Sequence, residues 1–130
     1  MALLTMSPST SDDVLRREAI DLATDATSLL VSCREAFRPE HAYAMAMECV
    51  RVADRIQSAH DQALPWEVAR CYREARMAAV RARTALERTG TRSPLLGKVD
   101  PEVERIHHRL NNLAFALGAL AQGPAGNAAA

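Results

Sequence analysis

Aromatic residues make up only 4% of this 130-residue chain, and no run of β-branched or aromatic side chains occurs. The usual raw material of β-strands is therefore missing, which argues against a sheet. Cysteine occurs three times, at Cys33, Cys49 and Cys71, an odd number without metal-type spacing. Each falls on or beside an apolar helical stripe, so buried thiols in a reducing cytosol are expected. Met1–Met6 is mildly apolar but too short for a signal peptide or a membrane span, and the reading is a soluble, cytoplasmic protein away from membranes. The formal net charge is zero, so no global field draws the chain toward nucleic acid or lipid. No Gly-rich phosphate loop is present, and neither Ser/His/Asp nor Cys/His catalysis is supported by spacing.

What is present is helix-forming material. Apolar residues reach 48%, carried by aliphatics and a large share of alanine, with Leu, Arg and Glu abundant. One domain of this length can bury a core without disulfides. Ser7-Pro8-Ser9-Thr10-Ser11 reads as the end of a flexible lead over residues 1–10, with Asp12 and Asp13 at the positive end of a first helix. A ladder follows at Leu15, Ala19, Leu22, Ala26, Leu29 and Cys33, stepping by four and three as in a bundle or coiled-coil seam. Arg38 precedes Pro39, which predicts a stop near Phe37 and a second helix opening on Pro39.

The second ladder is Met45, Cys49, Val52, Ile56, Ala59 and Ala63. Pro65 then either reverses the chain or kinks one long helix, and the restart of the stripe favours a tight reversal. Val68, Tyr72, Ala75, Ala79, Ala82 and Leu86 form the third ladder, with Gly90 as its stop. Thr91–Val99 reads as a connection, and Asp100-Pro101-Glu102 as cap, first-turn proline and favourable acid. Val103, Ile106, Leu110, Leu113, Leu117 and Leu120 make the fourth ladder, ended by Gly123-Pro124. The expected fold is all-α, an up-down-up-down four-helix bundle over residues 11–122, with a flexible tail at 123–130.

Rotating the last helix by about 100° per residue from its inward ladder sends His108, Asn112, Phe115 and Ala119 to the far side, bordered by Asn111 and Gly118. A free bundle has no reason to place Phe115 there, so this face predicts a protein partner or self-association as a homo-oligomer. His108 would lie at its polar end, and an exposed neutral imidazole is a competent nucleophile.

The segment His108-Arg109-Leu110-Asn111-Asn112-Leu113 resembles the H-box of two-component sensor histidine kinases. Ile106-His107-His108-Arg109 is similar to the subgroup with His-His-Arg at this place, and the segment also looks somewhat like histidine phosphotransfer bundles. The resemblance implies His108 as phospho-acceptor and Asn112 as its assistant. It covers residues 105–118 only. No Asn box or Asp-x-Gly-x-Gly segment is present, Arg109 replaces an acid common beside the histidine, and the usual Lys-Gly of phosphotransfer domains is replaced by Asn111 and Asn112. The implied role is to relay a phosphoryl group, bind a receiver domain or imitate a partner, rather than phosphorylate itself from ATP. The plainer reading makes His107 and His108 polar residues on a solvated helix start, bonded to Glu104 or water.

Glu104-Arg105-Ile106-His107 fits the Glu-x-x-His of di-iron bundles, but the required second copy is missing and no metal or other cofactor is expected. His41, Met45, Met47 and Cys49 are spread over more than one helical face and read as core or surface rather than copper ligands. His60 is expected as a hydrogen-bonded structural histidine, and Trp66 with Tyr72 as anchors of the second hairpin. Residues 1–64 hold six arginines against ten acids, while Arg70, Arg73, Arg76, Arg81, Arg83 and Arg88 make the third helix basic. Glu67, Glu74 and Glu87 are spaced to pair with them along that helix, which leaves weak nucleic-acid binding as a lesser alternative beside a purely structural bundle.

Overall fold

The computed structural model describes residues 8–31, 38–89 and 101–122, with side chains of the first helix described from Asp13. Four helices run through these residues: α1 (Pro8–Val31), α2 (Pro39–Asp61), α3 (Pro65–Arg88) and α4 (Pro101–Leu120). Each opens on a proline, the residue whose missing N–H costs nothing in a first turn and whose fixed φ suits a helix. Before α2, Arg38 is extended (φ −89°, ψ 110°), and its carbonyl accepts from the His41 and Ala42 amides at 3.1 and 3.0 Å. Leu64 repeats this before α3 (φ −91°, ψ 131°), accepting from Glu67 and Val68 at 3.0 Å each. The first helix begins at Pro8, so residues 8–10, expected as the end of a flexible lead, are its first turn. Residues 1–7, 90–100 and 123–130, with the rest of the expected lead, the connection, the Gly90 stop and the tail, lie outside the described residues. So do Cys33 and the expected end near Phe37.

Pro65 separates two helices. Only Gln62, Ala63 and Leu64 link α2 to α3, and the extended Gln62 returns its amide to the Ala59 carbonyl at 3.3 Å. At the far end of α3, the buried Thr89 hydroxyl donates to the Leu86 carbonyl at 2.6 Å and closes the last turn.

Cross-helix polar pairs fix antiparallel registers. Between α2 and α3, Arg55 meets Glu74 while Glu48 meets Arg81, so numbering rises on one side as it falls on the other. Between α3 and α4 the pairs are Arg83 with Asn111 and Glu87 with His107. Between α1 and α4 they are Glu18 with Arg109 and Asp25 with Arg105. Arg16 reaches Gln57 from α1 to α2. Sequential helices pack side by side and α1 closes against α4, which completes an up-down-up-down ring. The α2–α3 contact is the most extensive and the α1–α4 contact the slimmest among these pairs.

The core is the four ladders turned inward. Ala19, Leu22, Ala26 and Leu29, Met45, Cys49, Val52, Ile56 and Ala59, and Val103, Ile106, Leu110, Leu113 and Leu117 are all buried. From α3 come Tyr72, Leu86 and a run of alanines including Ala75, Ala78, Ala79 and Ala82. These small residues bring the α3 backbone close to its neighbours and give the large α4 side chains room to fill, the large-against-small fit of a dense interior. Each fully buried Leu or Ile contributes roughly 1.5–3 kcal/mol. The stripes weaken only at their ends. Leu15 and Val68 are half-buried, while Ala63 and Leu120 are exposed, because the outermost rung has no partner layer beyond it. No helix among the described residues is long and apolar enough to cross a membrane.

Candidate functional site

Helix α4 is held at the rotation its leucines require. With Ile106, Leu110, Leu113 and Leu117 inward, His108, Asn112, Phe115 and Ala119 form an outward stripe stepping by four, three and four. Phe115 is 86% exposed, the highest value among the exposed large hydrophobics. His108 and Asn112 have no hydrogen-bond or ion-pair partner among the described residues. Asn111 and Gly118 border the stripe on the α3 side and are half-buried.

Two polar rows wall the stripe. Toward α1, Arg109 Nε lies 3.6 Å from Glu18 Oε2, and its Nη1 lies 3.7 Å from Asp21 Oδ2 and from Asp25 Oδ2. That Nη1 has no hydrogen bond among the described residues, so the pairing there is electrostatic at slightly long range. Arg105 Nε adds a contact to Asp25 at 3.4 Å. The acids of α1 thus meet the arginines of α4, whereas the basic α3 draws on the acid Glu48 of α2. Toward α3, Asn111 Oδ1 accepts from Arg83 Nη1 at 2.9 Å, which turns the amide nitrogen to His107 Nδ1 at 3.4 Å. Nδ1 is then the acceptor, and the Nε2 proton faces Glu87 Oε1 at 3.3 Å. Further along, Arg76 lies over Gly118, where a Cβ would sit 3.3 Å from its Nε.

The two neighbouring histidines are therefore different in kind. His107 is a tied, half-buried strut between α3 and α4, while His108 is open to solvent. Asn111, expected beside Phe115 at the docking face, is engaged by Arg83. The cations nearest in sequence to His108, Arg105 and Arg109, are engaged by acids of α1. The stripe therefore presents a benzyl ring, small side chains, an amide and an imidazole, a surface suited to docking.

Other expectations fall elsewhere. Trp66 is 59% exposed and does not anchor the hairpin, because the second residue of α3 lies at the open end of the bundle; Tyr72, one and a half turns on, is buried. His60 is exposed in the last turn of α2 and its ring has no hydrogen-bond partner among the described residues, so it is not the hydrogen-bonded structural histidine expected. Met45 Sδ and Cys49 Sγ meet in the core at 3.8 Å, whereas Met47 is exposed and His41 half-buried 3.9 Å from Glu40. Burial, helped by the Glu48 carboxylate, pushes the Cys49 thiol up to about 12. Glu74 and Glu87 reach Arg55 of α2 and His107 of α4, contacts that spacing along α3 does not reveal. Among the described residues no group of three or more His, Cys, Asp or Glu is placed to hold a metal.

A feature that inward ladders pass over lies on α1 and α2. Ile20, Thr24, Thr27 and Val31 form an outward stripe of uncharged residues beside an open groove floored by Ala23 and Ala53. Its signal in the sequence is a four-three-four run without charge, on the side of the helix that a search for the core discards. No family model matches this chain, and neither a curated protein nor a solved structure shows significant similarity to it.

Proposed function

We propose that this chain is a non-catalytic interaction module that binds another protein through the outer face of α4. The observation that carries the reading is Phe115, an aromatic ring 86% exposed on a helix whose core requirements are already met by its leucines. Seating that ring in a partner's pocket would contribute roughly 1.5–3 kcal/mol, the scale of an interface anchor. Ala119 and Gly118 leave room beside it, while Asn112 and His108 supply donors and acceptors at the polar end. The H-box resemblance makes a receiver domain of two-component signalling the sharpest form of the partner.

A photo-crosslinking side chain at Asn112 in cells should yield one discrete covalent adduct. Phe115→Asp should remove it while far-UV circular dichroism stays unchanged. Adducts that persist with Phe115→Asp would refute the docking face.

A second reading is supported by the exposed, unpartnered His108 imidazole: a phosphoryl relay in which the imidazole nitrogen bonds phosphorus as the donor's phosphoryl–oxygen bond breaks. It requires a phosphorylated donor protein as co-reactant. Acid-labile, alkali-stable phosphate present on the wild type and lost with His108→Ala would favour this reading over simple docking.

A further inference from the structure

The cations of α3 are answered by fewer acids than their spacing suggests. The helix carries six arginines against three glutamates. Glu74 turns to Arg55 of α2 and Glu87 to His107 of α4, while Glu67 lies in the first turn, at the positive end of the helix. Of the arginines, Arg81 meets Glu48 and Arg83 meets Asn111. Arg70, Arg73 and Arg88 are exposed and have no hydrogen-bond or ion-pair partner among the described residues. With the exposed Trp66, Met77 and Thr84 they form one outward stripe, all six positions falling within about 60° of one another at about 100° per residue. From Trp66 to Arg88 the stripe runs about 33 Å at 1.5 Å per residue, and it carries no acid.

We infer that this outer face of α3 binds single-stranded nucleic acid, its three guanidinium groups holding phosphates and the Trp66 indole stacking on an unpaired base. Guanidinium is a planar, permanently charged donor fork that matches a phosphate, and stacking of a base on an aromatic ring is tolerant of sequence. Trp66 is 59% exposed at the end of the stripe and makes no hydrogen bond among the described residues. Arg70 and Arg73 follow it by about one and two turns on the same face. An indole beside two unengaged cations serves both parts of a strand, its bases and its phosphates. A duplex keeps its base faces stacked and offers the indole no partner, so the single strand is the better fit.

Other anionic occupants fit less well. A second copy of this chain has no free acidic stripe to offer here, because Glu18, Asp21 and Asp25 of α1 face the arginines of α4. An anionic membrane requires a broad apolar face beside the cations, and the apolar side of α3 is buried in the core. An acidic protein could meet the arginines but would leave the indole without a stacking partner. The net charge of zero does not oppose the role. The balancing acids of α1 lie on the helix diagonal to α3 and are already engaged, so the surplus on α3 is local. The Phe115 stripe belongs to α4, so this inference does not rest on the docking role proposed for it.

The test titrates the full-length chain, whose only tryptophan is Trp66, with an oligothymidylate long enough to cover the stripe. Binding should quench the tryptophan fluorescence. For three phosphates, log K should fall with log salt at a slope of about −2, a loss of about 16-fold between about 50 and 200 mM. Arg70→Gln combined with Arg73→Gln should weaken binding by about tenfold or more and flatten the slope to about −0.7, with unchanged helicity. Trp66→Ala, followed by anisotropy of a labelled strand, should weaken binding by about fivefold or more and leave the slope as it was. Phe115→Asp should change neither quantity. No binding at about 50 mM salt would overturn the inference. So would polyglutamate, phosphatidylserine vesicles or a duplex that binds as tightly as the single strand, or a double arginine variant that binds like the wild type.

Discussion

Gly118 sits in the third-to-last position of α4, under the Arg76 side chain, and replacing it with alanine sets two local effects against each other. Removing a glycine from a helix interior gains about 1 kcal/mol, because the unfolded chain loses conformational freedom and the helix gains a favourable residue. The added Cβ would meet Arg76 Nε at 3.3 Å and Cδ at 3.6 Å. The first contact is tight and the second ordinary. Arg76 is exposed, with no partner recorded among the described residues, so its guanidinium can swing aside by a few tenths of an ångström. Even a forced off-rotamer torsion would cost only about 0.5–1.5 kcal/mol, and a free surface side chain needs less. The helix term wins. Gly118→Ala should stabilise the bundle by about 0.5–1 kcal/mol, or roughly 2–5 °C in Tm for a chain of this size. Urea denaturation followed by circular dichroism should show a higher midpoint at unchanged slope. A lower midpoint would refute the reasoning, since it would mean that Arg76 is pinned across the glycine and that the α3–α4 seam depends on that contact.

Three further outcomes follow from the described contacts. His107→Ala should cost about 1 kcal/mol through its lost links to Glu87 and Asn111, whereas His108→Ala should stay within about ±0.5 kcal/mol, and equal effects in thermal melts would contradict the division of roles. Arg109→Ala should cost about 1–2 kcal/mol, a figure kept small because Glu18 and Asp21 are half-exposed, and the cost should shrink by about half in 1 M salt, where screening acts within about 3 Å. Cys49 binds its proton more tightly folded than unfolded, so the stability it contributes is complete below its ordinary value of 9.0 and is lost as pH rises toward about 12. Cys49→Ala should flatten that alkaline decline in pH-dependent unfolding curves.

The inward ladders were readable because each helix carries a single four-three stripe and opens on a proline, two signals that depend only on local chemistry. For the same reason the rotation of α4 followed directly, and with it the exposure of His108, Asn112 and Phe115. Helix ends were less legible: Leu120 and Ala63 continue their stripes in register, yet the bundle offers them no further layer. Trp66 and His60 fail in the same way, each lying near an end of α3 or α2 where the polypeptide is already leaving the core. The pairing of Asn111 with Arg83, of Glu87 with His107 and of Arg109 with the acids of α1 depends on which residue of a neighbouring helix arrives at the same height. Spacing along one helix carries no such information. The α1–α2 groove is a property of two surfaces at once and has no single-helix signature beyond a missing charge.

The slender α1–α4 boundary has a consequence for the order in which the molecule comes apart. Its two outer staves touch less than any other neighbouring pair and are bridged by guanidinium and carboxylate groups that water and salt can reach. Amide hydrogen exchange should therefore be fastest along α4 and slowest in the α2–α3 hairpin, and a rise in ionic strength should widen that gap. The bundle is hinged like a book whose spine is α2–α3 and whose covers part first at α1 and α4.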